Sequence, residues 1–193
     1  NHERLLRLWE TQVHSIIGAA GCGYAMRRSL YVPLEPAASS DFVEPGKITE
    51  RGHRTVEEPR ANVYEPVESC SLGGDFRRRT RVIAGGLYGA SLLRQLLNPL
   101  RHPWFALQLW SHRVLRWLAP VFLLVLLGAS VALAGQGVLY RMALVAQLVV
   151  YGAGALALVL DRLRLRPALL YVPLYFCLLN VAALVALARH VRG

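Results

Sequence analysis

Three long apolar runs dominate the second half of the chain. Residues 118–134 carry no charge, residues 142–160 are interrupted by Gln147, and residues 167–188 hold Asn180 as their one strongly polar side chain. Each approaches the roughly 20 residues that cross a bilayer as a helix. Three such runs joined by short linkers predict a membrane region over 118–193 rather than a soluble helical core. Gln147 and Asn180 are expected to pair helices inside that region or to line a polar path, and pairing is the favoured reading because amides hydrogen-bond across helices in lipid.

The pattern changes before the first run. Residues 87–97 and 104–117 mix leucines with Arg, Trp and His, which predicts two short amphipathic helices, the first ended by Asn98-Pro99. Trp104, Trp110 and Trp117 carry rings suited to headgroup depth, so residues 85–117 read as an interfacial segment. Further upstream, short apolar stretches alternate with Gly, Pro and acids. Residues 5–17 read as a helix whose apolar face is Leu5, Leu8, Trp9, Val13, Ile16 and Ile17. A second helix is expected from about Pro45, closed by Gly52. Short strands are expected at 24–26, 54–57 and 61–64. The region 1–84 thus reads as mixed α/β, too small to hold a stable core alone.

Charge sharpens this division. Residues 1–75 are net −3, residues 76–116 hold eight Arg and no acid, and residues 117–193 are net +5. A basic collar beside membrane spans is drawn to anionic lipid more than to nucleic acid. Arginines before the first span and in the second loop (Arg162, Arg164, Arg166) outnumber Arg141 in the first loop. That bias predicts a cell-membrane protein with residues 1–116 in the cytoplasm and the C-terminus outside. Cys22, Cys70 and Cys177 show no CxxC spacing, which excludes a zinc-site pattern and a disulfide framework. No signal-peptide pattern follows Asn1, and the chain is expected to extend upstream of it.

Three features are candidates for chemistry. Small residues at 18–23 (GAAGCG) permit close backbone approach to a ligand or form a plain turn. Asp41 follows two serines, a pattern that suits a helix cap. Arg77, Arg78, Arg79 and Arg81 form a juxtamembrane basic run.

Order and spacing add to these separate readings. GAAGCGYAMRRSL, SSDFVEPGKITERGHR, EPRANVYE, DFRRRTRVIAGG, LLNP and WSHRVLRWLAP follow one another between about Leu5 and Pro120. This series resembles the C-terminal half of a membrane-embedded family 2 glycosyltransferase, of the kind that includes cellulose, hyaluronan and poly-N-acetylglucosamine synthases.

The resemblance implies the C-terminal part of a GT-A-type α/β domain over 1–84, then interfacial helices, then three transmembrane helices. It implies inverting transfer from a nucleotide-sugar to a saccharide or lipid-linked acceptor at the cytoplasmic face. Asp41 matches the family's catalytic base, with Ser40 where the family has an acid. Arg81 matches the Arg of the family's Gln-x-x-Arg-Trp element. Arg78 and Val82 replace its Gln and Trp, which bears on polymer formation more than on transfer. Arg78 and Arg81 would bind the diphosphate, and Gly18, Gly21 and Gly23 would line the acceptor side. The family's donor half, whose Asp-x-Asp holds Mg²⁺ or Mn²⁺, would precede Asn1, so no metal ligand is assigned to this chain. The expected alternative is a non-catalytic membrane remnant or partner subunit.

Overall fold

The computed structural model describes residues 2–62, 71–163, 165 and 167–192. Among them the regular structure is helical. The α-helices are α1 (His2–Val13), α2 (Ser40–Glu50), α3 (Leu72–Leu92), α4 (Pro103–Leu109), α5 (Leu115–Ala132), α6 (Val138–Arg162) and α7 (Tyr171–Arg192). A five-residue π-helical turn, Trp110–Val114, joins α4 to α5.

Three helices are long and apolar enough to cross a membrane: Pro103–Ala132, Val138–Arg162 and Ala168–Arg192. Their outward faces are apolar as well. Val125, Val145, Val149 and Val172 are all exposed, an arrangement suited to lipid and costly in water. Helices α6 and α7 approach closely at Gly154, where an added Cβ would stand 2.7 Å from Cys177 Sγ. The two amides do not pair across helices. Gln147 Nε2 donates to Ala143 O at 3.4 Å, and Asn180 Nδ2 donates to Phe176 O at 2.8 Å, each within its own helix.

Helix α3 binds the polar region to the spans. It packs along α7 and also touches α2. Its glycines make the approach possible. A Cβ on Gly86 would lie 2.6 Å from the Trp117 ring, and one on Gly89 would lie 2.7 Å from Val43 and 2.8 Å from Phe42. Phe42 and Trp117 meet edge to face with ring centroids 6.2 Å apart. These two rings join Ile17, Val43, Leu93, Leu96, Phe105 and Leu109 in one buried cluster. Nearer the start of α3, Arg79 pairs with Asp75 at 2.8 Å, and its guanidinium carbon lies 5.9 Å from the centre of the Tyr175 ring in α7.

Several expectations are corrected here. No strand forms among the described residues, so the α/β reading of 1–84 is not met there. Residues 54–57 have no regular structure, and a strand needs a ladder partner that they lack among the described residues. Their backbone is instead fastened to the end of α1: Thr55 O accepts from Ile16 N at 3.0 Å, Thr55 N donates to Ser15 Oγ at 3.0 Å, and Glu57 N donates to Thr11 Oγ1 at 2.9 Å. Residues 24–26 are likewise irregular. The strand expected at 61–64 falls partly outside the described residues, as do Cys70, Arg164 and Arg166.

Helix α1 ends at Val13, short of the expected Ile17, and its apolar face is split: Leu5, Trp9 and Val13 are exposed, Leu8 is half-buried, Ile16 and Ile17 are buried beyond the helix end, and Glu10 is buried. Of the helix expected over 87–97, residues 87–92 are the end of the longer α3, which runs on through the arginine run and across residues 84–85, and residues 93–97 are turns. The segment 104–117 is likewise not one regular helix, because the π-turn interrupts it. Trp104, Leu107 and Trp110 lie exposed, but Trp117, expected at headgroup depth with them, is buried against Phe42 and Gly86.

Two predictions follow from this packing. Gly86→Leu forces a side chain into the Trp117 ring. It is expected to lower stability by about 1–3 kcal/mol, read as a lower melting temperature of the detergent-solubilised protein. His14 packs edge-on against Phe105 at 6.3 Å. Burial first, then the charges of Arg54 and His102, hold its pKa below the ordinary 6.5. The unfolded chain therefore binds more protons near that pH. The contribution of His14 is complete above 6.5 and is lost as pH falls through the lower folded value. Thermal stability should drop on acidification below 6.5, and His14→Gln should flatten that drop.

Candidate functional site

The site begins with a proline. Helix α2 starts at Ser40, with Ser39 as its N-cap residue, and Pro45 lies inside it. A proline has no backbone N–H to donate to the carbonyl four residues earlier. Pro45 therefore leaves the Asp41 carbonyl free of its helical partner. Ala19 N–H takes that oxygen at 2.7 Å. This bond lays the small-residue loop across the start of α2.

The helix thus starts five residues before the position expected from Pro45. Its end is as expected. Gly52 adopts φ 77°, Gly52 N donates to Thr49 O at 3.0 Å, and His53 N donates to Ile48 O at 3.1 Å. That is the double hydrogen bond of a Schellman stop.

Asp41 does not cap the helix. Its Oδ1 accepts from Ser39 Oγ at 2.6 Å, and an added Cβ on Gly21 would stand 3.3 Å from its Oδ2. Among the described residues Oδ2 accepts no hydrogen bond, so one carboxylate oxygen is held and the other faces the loop. The position in the first turn of α2 also favours negative charge there. Of the three expected loop residues, Gly18 and Gly21 meet Asp41, and Gly23 closes a turn through Gly23 N to Ala20 O at 3.1 Å.

Four further polar residues line or brace this corner. The first is Arg113, carried by the π-turn. An added Cβ on Gly18 would lie 2.7 Å from its Nη2, and its guanidinium carbon sits 5.3 Å from the centre of the Phe42 ring. Arg113 interacts electrostatically with Asp41 and Glu10. Glu10, buried in α1, is the second: its Oε2 accepts from Ile17 N at 3.1 Å, and its Oε1 lies 3.3 Å from His112 Nδ1. Tyr24 and Glu44 form the other pair, with Tyr24 OH donating to Glu44 Oε2 at 2.7 Å. Burial first and that carboxylate second raise the Tyr24 pKa above 10.0, so the phenol stays protonated and remains a donor.

The sequence reading gave no individual site role to Glu10, Tyr24, Glu44 or His112, and it used Arg113 only as a charge for orientation. A signal for Arg113 was present, because WSHRVLRW places a cation inside an otherwise interfacial helix.

Arg78 and Arg81 stand apart from Asp41. Both are exposed on α3 and form no ion pair among the described residues. Counting three and seven residues along a helix places Arg78, Arg81 and Gly85 on one face. Gly85 is the member that packs on the Ser39 loop, with an added Cβ 3.7 Å from Ser39 Cβ. The two arginines therefore extend the site's face by one and two turns without touching it. No cluster of three His, Cys, Asp or Glu able to hold a metal ion occurs among the described residues.

No protein-family model matches the chain, and no curated protein or solved structure matches it either.

The Pro45 account has a direct check. In Pro45→Ala, a new N–H competes for the Asp41 carbonyl. Exchange of the Ala19 amide with solvent should accelerate by about fivefold, the equivalent of ~1 kcal/mol for one hydrogen bond. Helix α2 itself should be no less stable, since Ala is the better helix former. Unchanged Ala19 protection would show that the loop is held by something else.

Proposed function

We propose that this chain is the acceptor-side, membrane-anchored part of an inverting glycosyltransferase working at the cytoplasmic face of the cell membrane. The observation that supports this best is Asp41. One of its oxygens is fixed by Ser39 Oγ at 2.6 Å, and the other is turned to a small-residue loop. That is the requirement for a general base: a carboxylate held in one orientation with a lone pair open to a substrate hydroxyl.

In the proposed reaction Asp41 Oδ2 takes the proton of the acceptor hydroxyl. The acceptor oxygen bonds to the anomeric carbon of a nucleotide-sugar. The bond from that carbon to the nucleoside diphosphate breaks, and its electron pair leaves on the diphosphate. One displacement inverts the anomeric configuration. Gly18, Gly21 and Gly23 would form the acceptor side beside Asp41, as the resemblance implies. Arg78 and Arg81 offer unpaired guanidinium donors for the departing diphosphate. Arg113 supplies fixed positive charge at the back of the site, where it costs no reorganisation during reaction. Mg²⁺ or Mn²⁺ would serve the complete enzyme as a Lewis acid toward the diphosphate. The described residues do not fit such an ion, so none of these steps is routed through it.

A second reading, a non-catalytic subunit of such an enzyme, draws on α1. Leu5, Trp9 and Val13 form an exposed apolar stripe at four-residue spacing, suited to a partner domain. Specific binding of a nucleotide-sugar by this chain alone would count against that reading.

Asp41→Asn in the full-length protein tests the transfer reading. Transfer of labelled sugar in membranes should fall by ~10²–10⁴-fold, with nucleotide-sugar binding retained. Undiminished transfer would remove Asp41 as the base.

A further inference from the structure

Two contacts set the direction of α1. Glu10 Oε1 lies 3.3 Å from His112 Nδ1, and the His14 ring meets Phe105 with centroids 6.3 Å apart. Numbers rise along α1 as they fall along the segment it touches, so the two run antiparallel. The start of α1 therefore lies toward the first span and its end lies away from it. Glu3, near that start, interacts electrostatically with Arg113, which agrees.

Depth follows from the length of the span. Roughly 20 helical residues fill the hydrocarbon layer. Counted back from Ala132, where α5 ends, they begin within the π-turn Trp110–Val114. Its His112 and Arg113, with Arg116 exposed one turn further on, are the basic residues usual at such a boundary. Glu10 reaches His112, so the middle of α1 is level with the boundary. Trp9 shares that level. At the helical rise, Leu5 lies about 6 Å deeper and Val13 about 6 Å nearer the water.

The sides of α1 that face protein are accounted for. Glu10 and His14 meet the α4 segment. Arg7 pairs with Glu57 at 3.0 Å, and Thr11 Oγ1 accepts from Glu57 N at 2.9 Å. Leu5, Trp9 and Val13 form the side left over, and all three are exposed. Nearby, Leu115, Phe122 and Val125 on the span are exposed as well. The stripe thus borders a surface that lipid covers, and an indole ring at its middle suits headgroup depth.

We propose that the start of α1 is sunk into the membrane beside the first span, with Leu5 at the edge of the hydrocarbon and Trp9 among the lipid headgroups. Its partner is the bilayer surface, which takes the stripe that a partner domain would otherwise use. Arg113, in the same π-turn, interacts with Asp41, so this anchorage holds the Asp41 corner at headgroup depth. The anchorage does not depend on the transferase reading.

The test uses full-length protein in vesicles of phosphatidylcholine and phosphatidylglycerol. A fluorescent amino acid replaces Leu5, Trp9, Val13 or Val56 in turn. Val56, exposed on the segment fastened to α1, is the water-facing reference. The quenchers are iodide in the buffer, a nitroxide on the lipid headgroup, and lipid brominated at the top of its acyl chains. Iodide quenching should be lost at positions 5 and 9 relative to 56, and only reduced at 13. The headgroup nitroxide should quench most at 9, and the brominated lipid most at 5. Iodide quenching at 5 and 9 equal to that at 56 places the stripe in water and overturns the proposal. Shielding from iodide and from both lipid quenchers identifies a protein partner or a second copy and overturns it too. A probe at 13 that lies deeper than one at 5 overturns the direction of α1.

Discussion

The arrangement around Asp41 depends on one backbone hydrogen bond, from Ala19 N–H to the Asp41 carbonyl at 2.7 Å. It exists because Pro45 cannot claim that carbonyl. A proline inside a helix usually costs about 3 kcal/mol against alanine, partly through the acceptor it leaves unpaired. Here that acceptor is used. It docks the 18–23 loop on the first turn of α2 and brings Gly21 within 3.3 Å of the carboxylate's open oxygen, measured from its added Cβ. A residue that weakens the helix locally thereby organises the tertiary site.

The second constraint is the junction with the spans. Gly86 and Gly89 on α3 remove two side chains, so Trp117 can enter from α5 and Phe42 from α2. Asp41 precedes Phe42 directly, so the carboxylate's position relative to the spans is fixed by ring packing. The π-turn adds a polar tie. It presents His112 to Glu10 at 3.3 Å and Arg113 to Gly18. Single π-turns inside helices recur at functional sites because the extra residue re-aims a side chain. Here it turns a membrane-entry helix inward to supply a cation. Site and spans form one packed unit.

Much of this was legible in the sequence, for physical reasons that differ by element. The three spans were readable because twenty consecutive apolar residues have few other uses. Gly52 was readable as a stop because only glycine takes φ 77° there without strain. The start of α2 was misplaced because Pro45 was taken as a first-turn residue, and its true role needs a partner twenty-six positions away. Strands were expected at 54–57 because Thr55 and Val56 favour extended backbone. Pairing partners decide strands, and this segment's partners are Ser15, Ile16 and Thr11. The stripe on α1 misled for a similar reason. Periodicity locates an apolar face without saying what covers it, and Leu5, Trp9 and Val13 are left open. The resemblance named Asp41 and the 18–23 loop together, and the structure brings Gly18 and Gly21 against Asp41. Arg113 was legible only as a cation inside an interfacial helix; the π-turn that aims it at Gly18 leaves no simple mark in the sequence.

The central claim is that Asp41 supports a single displacement on a nucleotide-sugar at the membrane. The most direct measurement is the anomeric configuration of the product formed by membranes carrying the full-length protein, read by proton NMR. The account predicts a new glycosidic bond of configuration opposite to that of the donor. A product with retained configuration would contradict it, because one carboxylate acting as base on one displacement cannot preserve the anomer.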